Sequence, residues 1–181
     1  MGEHADFQNL LVQLQSTDNE LRTQAEAAYD AIPSSSRFTL LLQTISDNGV
    51  PSQSRHMAAI LGRRLLVNDY TSAFEALPDE TKVAAKQQFL LGVVHETENI
   101  MRRKIADLAA ELARMQHDDN GNSEWPKFLQ FLEFSNSTDI GLREVACHLF
   151  AAVSSVFGSQ QASSLPIIGQ FLGRAIADPS H

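Results

Sequence analysis

Apolar residues return at intervals of three and four along almost the whole chain. Phe7, Leu10, Leu11 and Leu14 form one such stripe, and Phe38, Leu41, Leu42 and Ile45 repeat it. Leu21, Ala25, Ala28 and Ile32 form another, followed by Met57, Ile60, Leu61 and Leu65, then Met101, Ile105, Leu108 and Leu112. The longest runs through Leu142, Val145, Ala146, Leu149, Val153, Val156 and Phe157. This is the period of an amphipathic helix, and the alternation of a half-buried strand is not sustained anywhere. The expected fold class is all-α.

Polar punctuation separates the stripes. Thr17-Asp-Asn-Glu20 reads as a capping box, with the Thr17 oxygen accepting a backbone N–H and Glu20 reaching back. Pro33-Ser-Ser-Ser36 divides the second helix from the third, and Asp47-Asn-Gly-Val-Pro51 the third from the fourth. Asn68 to Asp79 reads as a longer connection, Asp118 to Asn122 as a polar loop before Trp125-Pro126, and Gly158 as the stop of a long helix that starts near Asp139. About nine helices in antiparallel pairs are expected.

The pairs are related by an internal echo. Ser16-Thr-Asp-Asn-Glu-Leu-Arg22 recurs as Ser137-Thr-Asp-Ile-Gly-Leu-Arg143, each followed at the same distance by an alanine. The shorter pattern Arg-x-x-Ala occurs at Arg22, Arg55, Arg103 and Arg143, spaced by 33, 48 and 40 residues. That spacing fits HEAT or armadillo repeats. The alanine suits a point where two helices cross closely, and the arginine can bond carbonyls or acidic caps of the neighbouring repeat, giving a structural ladder of Arg22, Arg55, Arg103 and Arg143. The expected architecture is an α-α superhelix of about four and a half helix-pair repeats, at roughly 4–32, 34–68, 79–116, 124–158 and a partial 160–178. Its alternative is one globular bundle whose internal similarities are coincidental. Leu165, Ile168, Leu172 and Ile176 would build a final first helix whose apolar stripe needs cover.

Charge and composition narrow the function. The 181 residues carry a formal net charge of −8, which disfavours contact with phosphate backbones and favours basic protein partners. The single cysteine, Cys147, sits within an apolar helical pattern and reads as a small buried hydrophobe. No apolar run is long enough for a membrane span, and the acidic start does not read as a secretory signal.

Catalytic and cofactor signatures are absent from the sequence. There is no glycine-rich phosphate cradle and no nucleophile elbow. The six histidines are scattered. Gln116 to Lys127 has EF-hand-like spacing, but Gln116 and Lys127 occupy positions that calcium binding gives to carboxylates. No enzyme, no cofactor and no metal site are expected.

A series of motifs then resembles a known family. Leu21-Arg-x-x-Ala-Glu26, Phe38-Thr-Leu-Leu-Leu-Gln43 and Arg55-His-Met-Ala-Ala-Ile-Leu-Gly-Arg-Arg-Leu-Leu66 are similar to the N-terminal domain of importin beta (karyopherin beta) receptors. Ala76-Leu-Pro78, Arg103 through Arg114, Asp119-Asn-Gly-Asn122 with Trp125-Pro126, Gly141-Leu-Arg-Glu-Val-Ala146 and Phe157-Gly-Ser-Gln-Gln161 resemble the importin-5 (Ran-binding protein 5) branch. Gly62-Arg63-Arg64 stands where many importins have Lys-Asn, although the importin-5 branch favours Arg-Arg.

The resemblance implies a receptor that binds the GTP form of Ran through the second helices of its first repeats. It also implies basic import cargo, Phe-Gly nucleoporins, and shuttling between cytoplasm and nucleus, without direct nucleic-acid contact or membrane insertion. On that reading Glu26, Asp30, Arg63, Asp107 and Glu111 are the candidate Ran or partner contacts. Because full receptors hold many more repeats, a truncated HEAT-repeat scaffold or adaptor without transport activity is the alternative.

Overall fold

A computed structural model of the chain describes residues 2–117, 125–154, 156 and 161–177. The regular elements among them are all helical. The chain divides into two compact units, Met1–Gln88 and Phe89–His181.

In the first unit, α1 (Glu3–Gln13) pairs with α2 (Asn19–Ala31), and α3 (Ser34–Ser46) with α4 (Ser52–Tyr70). The turn between α1 and α2 departs from the expected capping box. Asp18, not Thr17, is the N-cap, and its Oδ1 accepts the N–H groups of Glu20 at 2.8 Å and Leu21 at 3.2 Å. A carboxylate beats a hydroxyl here because it is the stronger acceptor and also complements the positive end of the helix.

The helix α3 lies deepest. Phe38, Leu40, Leu41, Leu42, Thr44 and Ile45 are all buried, because α3 is packed on α1, α4 and the segment after α4. That segment was expected to be a connection, yet α4 runs to Tyr70 and continues as a π-helical turn over Thr71–Glu75. Aromatic packing holds it in place: Phe74 is fully buried, meets Phe38 edge-on at 5.7 Å and stacks on Tyr70 at 5.8 Å. The backbone breaks at Asp69 (φ −148°, ψ 41°), whose carboxylate accepts the Ser34 hydroxyl.

Two expected stripes sit differently from their sequence reading. On α2 the buried positions are Ala25 and Tyr29, while Leu21 is 39% exposed. On α4 the core takes Ala58, Ala59, Leu65 and Leu66 and leaves Met57 and Leu61 half-buried and Ile60 exposed.

Helix α5 (Asp79–His95) crosses the division between the units. In the second unit α6 (Asn99–Met115) buries Met101, Ile105, Leu108 and Leu112 as its period predicts. At Gly92 of α5 an added Cβ would stand 3.4 Å from Ile105, an ordinary van der Waals contact, and Ala106 of α6 is fully buried. The next helix is broken into a 3-10 turn (Pro126–Leu129), a short α7 (Gln130–Glu133) and a second 3-10 turn (Phe134–Asn136). Trp125, Phe128 and Phe131 pack within 5.1 to 6.1 Å of one another and bury this irregular segment.

Helix α8 spans Ile140–Ala152 and breaks at Val153, after which Ser154 and Val156 are again helical; the expected stop at Gly158 lies outside the described residues. The loop Asp118–Asn122 also lies outside them. Helix α9 (Gln161–Ala177) anchors through Phe171, 2% exposed and 4.9 Å from Phe150. Leu165, Leu172 and Ile176 of its expected stripe are exposed at 60%, 41% and 86%.

Candidate functional site

The repeat arginines come first, because they decide which polar groups are free to meet a partner. In every second helix an arginine stands at the fourth position after the N-cap: Arg22 after Asp18, Arg55 after Pro51, Arg102 after Glu98 and Arg143 after Asp139. At this position the side chain turns back over the preceding loop. Arg22 Nη1 donates to Ser16 O at 3.2 Å, Arg143 Nη1 to Ser137 O at 3.1 Å, and Arg102 Nη2 to Glu96 O, each six residues back. Arg55 Nε donates to Ile45 O at 2.9 Å. These bonds close each arginine's own helix pair, and Arg102 in addition reaches Asp139, the acidic N-cap of the next repeat.

At the third repeat this position is held by Arg102, one residue before the Arg103 of the expected ladder, and Arg103 itself pairs with Glu144 of α8 at 2.8 Å. Counting from the alanine gave Arg103, because Ile105 occupies the position three after Arg102 and Ala106 follows it. The seven-residue echo is now explained: the serine hydroxyl accepts the aspartate N–H at 3.1 Å in both copies, the aspartate caps the helix, and the arginine returns to the serine carbonyl.

Arg102 links two helix pairs. It is 5% exposed, bonds Asn99 Oδ1 at 2.9 Å and pairs with Asp139 Oδ2 at 3.1 Å, so it joins the start of α6 to the N-cap of α8. Farther along the same two helices Arg103 meets Glu144 at 2.8 Å, Asp107 Oδ1 lies 2.6 Å from His148 Nε2, and Arg114 bonds Glu111 at 2.6 Å and Ala152 O at 3.1 Å. The steps of four on α6 and of four on α8 keep these groups in register. Two of the candidate partner residues, Asp107 and Glu111, are thus held within this α6–α8 zipper, and Glu111 is only 4% exposed.

The other candidates are placed differently. Glu26 and Asp30 project from α2, with side chains 58% and 76% exposed. Both border a cavity of about 620 Å³ whose opposite wall is Met57, Ile60, Leu61 and Arg64 of α4. Arg64, not Arg63, lines it, and Arg63 is exposed elsewhere on the same helix. Arg37 pairs with Asp30 at 3.1 Å and lies 5.0 Å from the Tyr29 ring centre. Burial raises the Tyr29 hydroxyl pKa above its ordinary value, with the Arg37 charge opposing the shift. The Asp69 carboxyl is held below the usual range by hydrogen bonds from the Ser34 and then the Ser72 hydroxyls. Arg37, Arg64 and Asp69, unlike Asp30, were not singled out from the sequence and were within its reach only through their place near helix ends and along one face.

Among the described residues no group of three or more His, Cys, Asp and Glu is placed to hold a metal ion. No helix among them is long and apolar enough to cross a membrane.

The helix pairs, their capped second helices and their stacking partners define an α-α superhelix of the HEAT-repeat class. Residues 97–181 match the family described as IPO5-like, TPR repeats. Among solved structures, Kap121p bound to RanGTP matches at a TM-score of 0.71 and 21% identity over 86% of this chain. Kap121p bound to Nup53p matches at 0.72 and 21% over 91%, and Kap121p bound to Pho4p at 0.72 and 22% over 92%. The chain spans 15% to 16% of the length of these karyopherins.

Proposed function

We propose that the chain is a helical-repeat segment of a nuclear transport receptor of the importin beta family, of the importin-5 type. It binds Ran in its GTP form and takes part in carrying basic cargo past Phe-Gly nucleoporins between cytoplasm and nucleus. The observation that carries the reading is the match of residues 97–181 to IPO5-like repeats in a chain whose fold follows Kap121p over 86% of its length. In this reading the helix pairs act as a scaffold, and the protein supplies surface and charge instead of chemistry. Glu26 and Asp30 on α2 are the acidic contacts, because they are exposed beside an open cavity, whereas Asp107 is engaged with His148 of α8 and Glu111 is buried and bonded to Arg114. Exposed carboxylates of this kind steer a basic surface and speed encounter more than they add affinity.

The test is capture of purified Ran by the immobilised chain, with Ran loaded with GTP in one arm and GDP in the other. The reading expects retention of the GTP form alone. Equal retention, or none from a chain whose buried tryptophan emission shows it folded, would overturn it.

A second reading, a helical-repeat adaptor without transport activity, draws on the same 15% span. It predicts a stable partner other than Ran and no accumulation at nuclear pores.

A further inference from the structure

The connection Asp47-Asn-Gly-Val-Pro51 carries chemistry of its own. Asp47 to Val50 form a β-turn closed by the Val50 N–H, which donates to Asp47 O at 3.1 Å. Asn48 and Gly49 are its central residues, and both are exposed. In an Asn-Gly pair the glycine amide nitrogen lies five atoms round a ring from the asparagine side-chain carbonyl carbon, and glycine has no Cβ to hinder its approach. Once Gly49 N loses its proton, it is a nucleophile placed to close that ring on Asn48 Cγ.

The Gly49 nitrogen is already engaged. It donates to Asp47 Oδ1 at 2.8 Å, the bond of an Asx turn. That bond favours the protonated amide, and the adjoining negative charge opposes the amide anion that ring closure needs. A carboxylate is far too weak a base to take the proton from an amide, so Asp47 hinders the reaction and does not assist it.

We propose that Asn48 is a site of spontaneous deamidation and that Asp47 is the brake that sets its rate. Gly49 N bonds to Asn48 Cγ, the Cγ–Nδ2 bond breaks, and Nδ2 leaves as ammonia with the proton lost from Gly49. Water then opens the succinimide at either of its carbonyls and leaves aspartate or isoaspartate at this position. Nothing is oxidised or reduced, and water is the co-reactant. The isoaspartate form has an extra methylene in the backbone of the turn. That lengthening works against the Val50 bond to Asp47 O and against the burial of Val50, 6% exposed. Modification therefore adds a negative charge and loosens the link between α3 and α4, whatever partner the chain binds.

The experiment incubates the whole chain at mildly alkaline pH and follows it by peptide mapping, reading at Asn48 the gain in mass when NH2 becomes OH and the isoaspartate content. Asn120-Gly121, outside the described residues, is read in the same maps as an internal reference. The parent chain should accumulate isoaspartate at Asn48. Asp47→Ala should speed that accumulation roughly two- to tenfold, the range of one hydrogen bond, with the rate at Asn120 unchanged. Asp47→Glu keeps the charge but not the Asx turn and should also react faster than the parent; it decides the question if Asp47→Ala loses its helical circular dichroism. The purified isoaspartate form should unfold at a lower urea concentration than the unmodified chain. An Asn48 that stays intact in the parent, Asp47 variants no faster than the parent, equal acceleration at Asn48 and Asn120, or an isoaspartate form as stable as the unmodified chain would each overturn the proposal.

Discussion

Replacing Gly141 by alanine adds one carbon at one end of the second unit's polar zipper, where the first turn of α8 meets that of α6. An ideal Cβ there would stand 2.1 Å from Arg102 Nη1 and 2.5 Å from Asn99 Oδ1. Both neighbours are side-chain ends, so they can move, but Arg102 is 5% exposed and its guanidinium is bonded to Glu96 O, Asn99 and Asp139. Making room costs at least one charge-assisted hydrogen bond, about 1.5–3 kcal/mol. Against this, alanine is favoured over glycine in a helix by about 0.5–1 kcal/mol, and less in its first turn. The net expectation is a loss of about 0.5–2.5 kcal/mol, taken as the difference of these two ranges. Urea unfolding followed by Trp125 emission measures it, since Trp125 is the single tryptophan, is 3% exposed and lies in the same unit. The mechanism is separable from a general intolerance of α8: in an Arg102→Ala background the loss should shrink, because only the Asn99 side chain, released from its bond to Arg102, still crowds the new methyl. An unchanged or raised midpoint for Gly141→Ala alone, or the same loss in both backgrounds, would refute the argument.

Other expectations follow from the same geometry. Asp18→Ala removes an N-cap and should cost about 1 kcal/mol, read as a lower unfolding midpoint, and Asp139→Ala should cost more because it also removes the partner of the buried Arg102. Arg55→Leu leaves Ile45 O without its side-chain donor at a site 7% exposed and should cost about 1–3 kcal/mol in the same assay. The Asp69 pKa is depressed in the fold, so its contribution is present above the unfolded carboxylate range and lost as pH falls through the folded value. Acid unfolding of Asp69→Asn should accordingly show a shallower stability loss in that window than the parent chain, and identical profiles would count against the Ser34 and Ser72 bonds.

Much of the helical order was legible because burial on one face imposes a period. The α6 stripe of Met101, Ile105, Leu108 and Leu112 is buried to 2% exposure or less. The same rule misassigned α4, where Met57, Ile60 and Leu61 satisfy the period yet line a cavity, since periodicity reports an apolar face and not what covers it. The repeat echo was legible as a pattern but not as a mechanism. Its arginine is fixed by distance from the N-cap, so counting from Asp18, Pro51, Glu98 and Asp139 finds Arg102, while counting toward an alanine finds Arg103. The π-helical turn at Thr71–Glu75 had no local signal, being stabilised by Phe38 from an earlier helix. Asp107 and Glu111 looked like free acidic groups because the partner of Asp107, His148, lies 41 residues away, a pairing that only the packing of α6 on α8 creates.

The central claim is that α2, and not the zippered face of α6, presents the acidic contacts to a GTP-bound Ran. Calorimetric titration of GTP-loaded Ran into the parent chain, Glu26→Gln and Asp107→Asn tests it most directly. The account predicts affinity lowered roughly two- to fivefold by Glu26→Gln and unchanged by Asp107→Asn. Weaker binding for Asp107→Asn with Glu26→Gln at the parent value, or no heat from the parent chain itself, would contradict it.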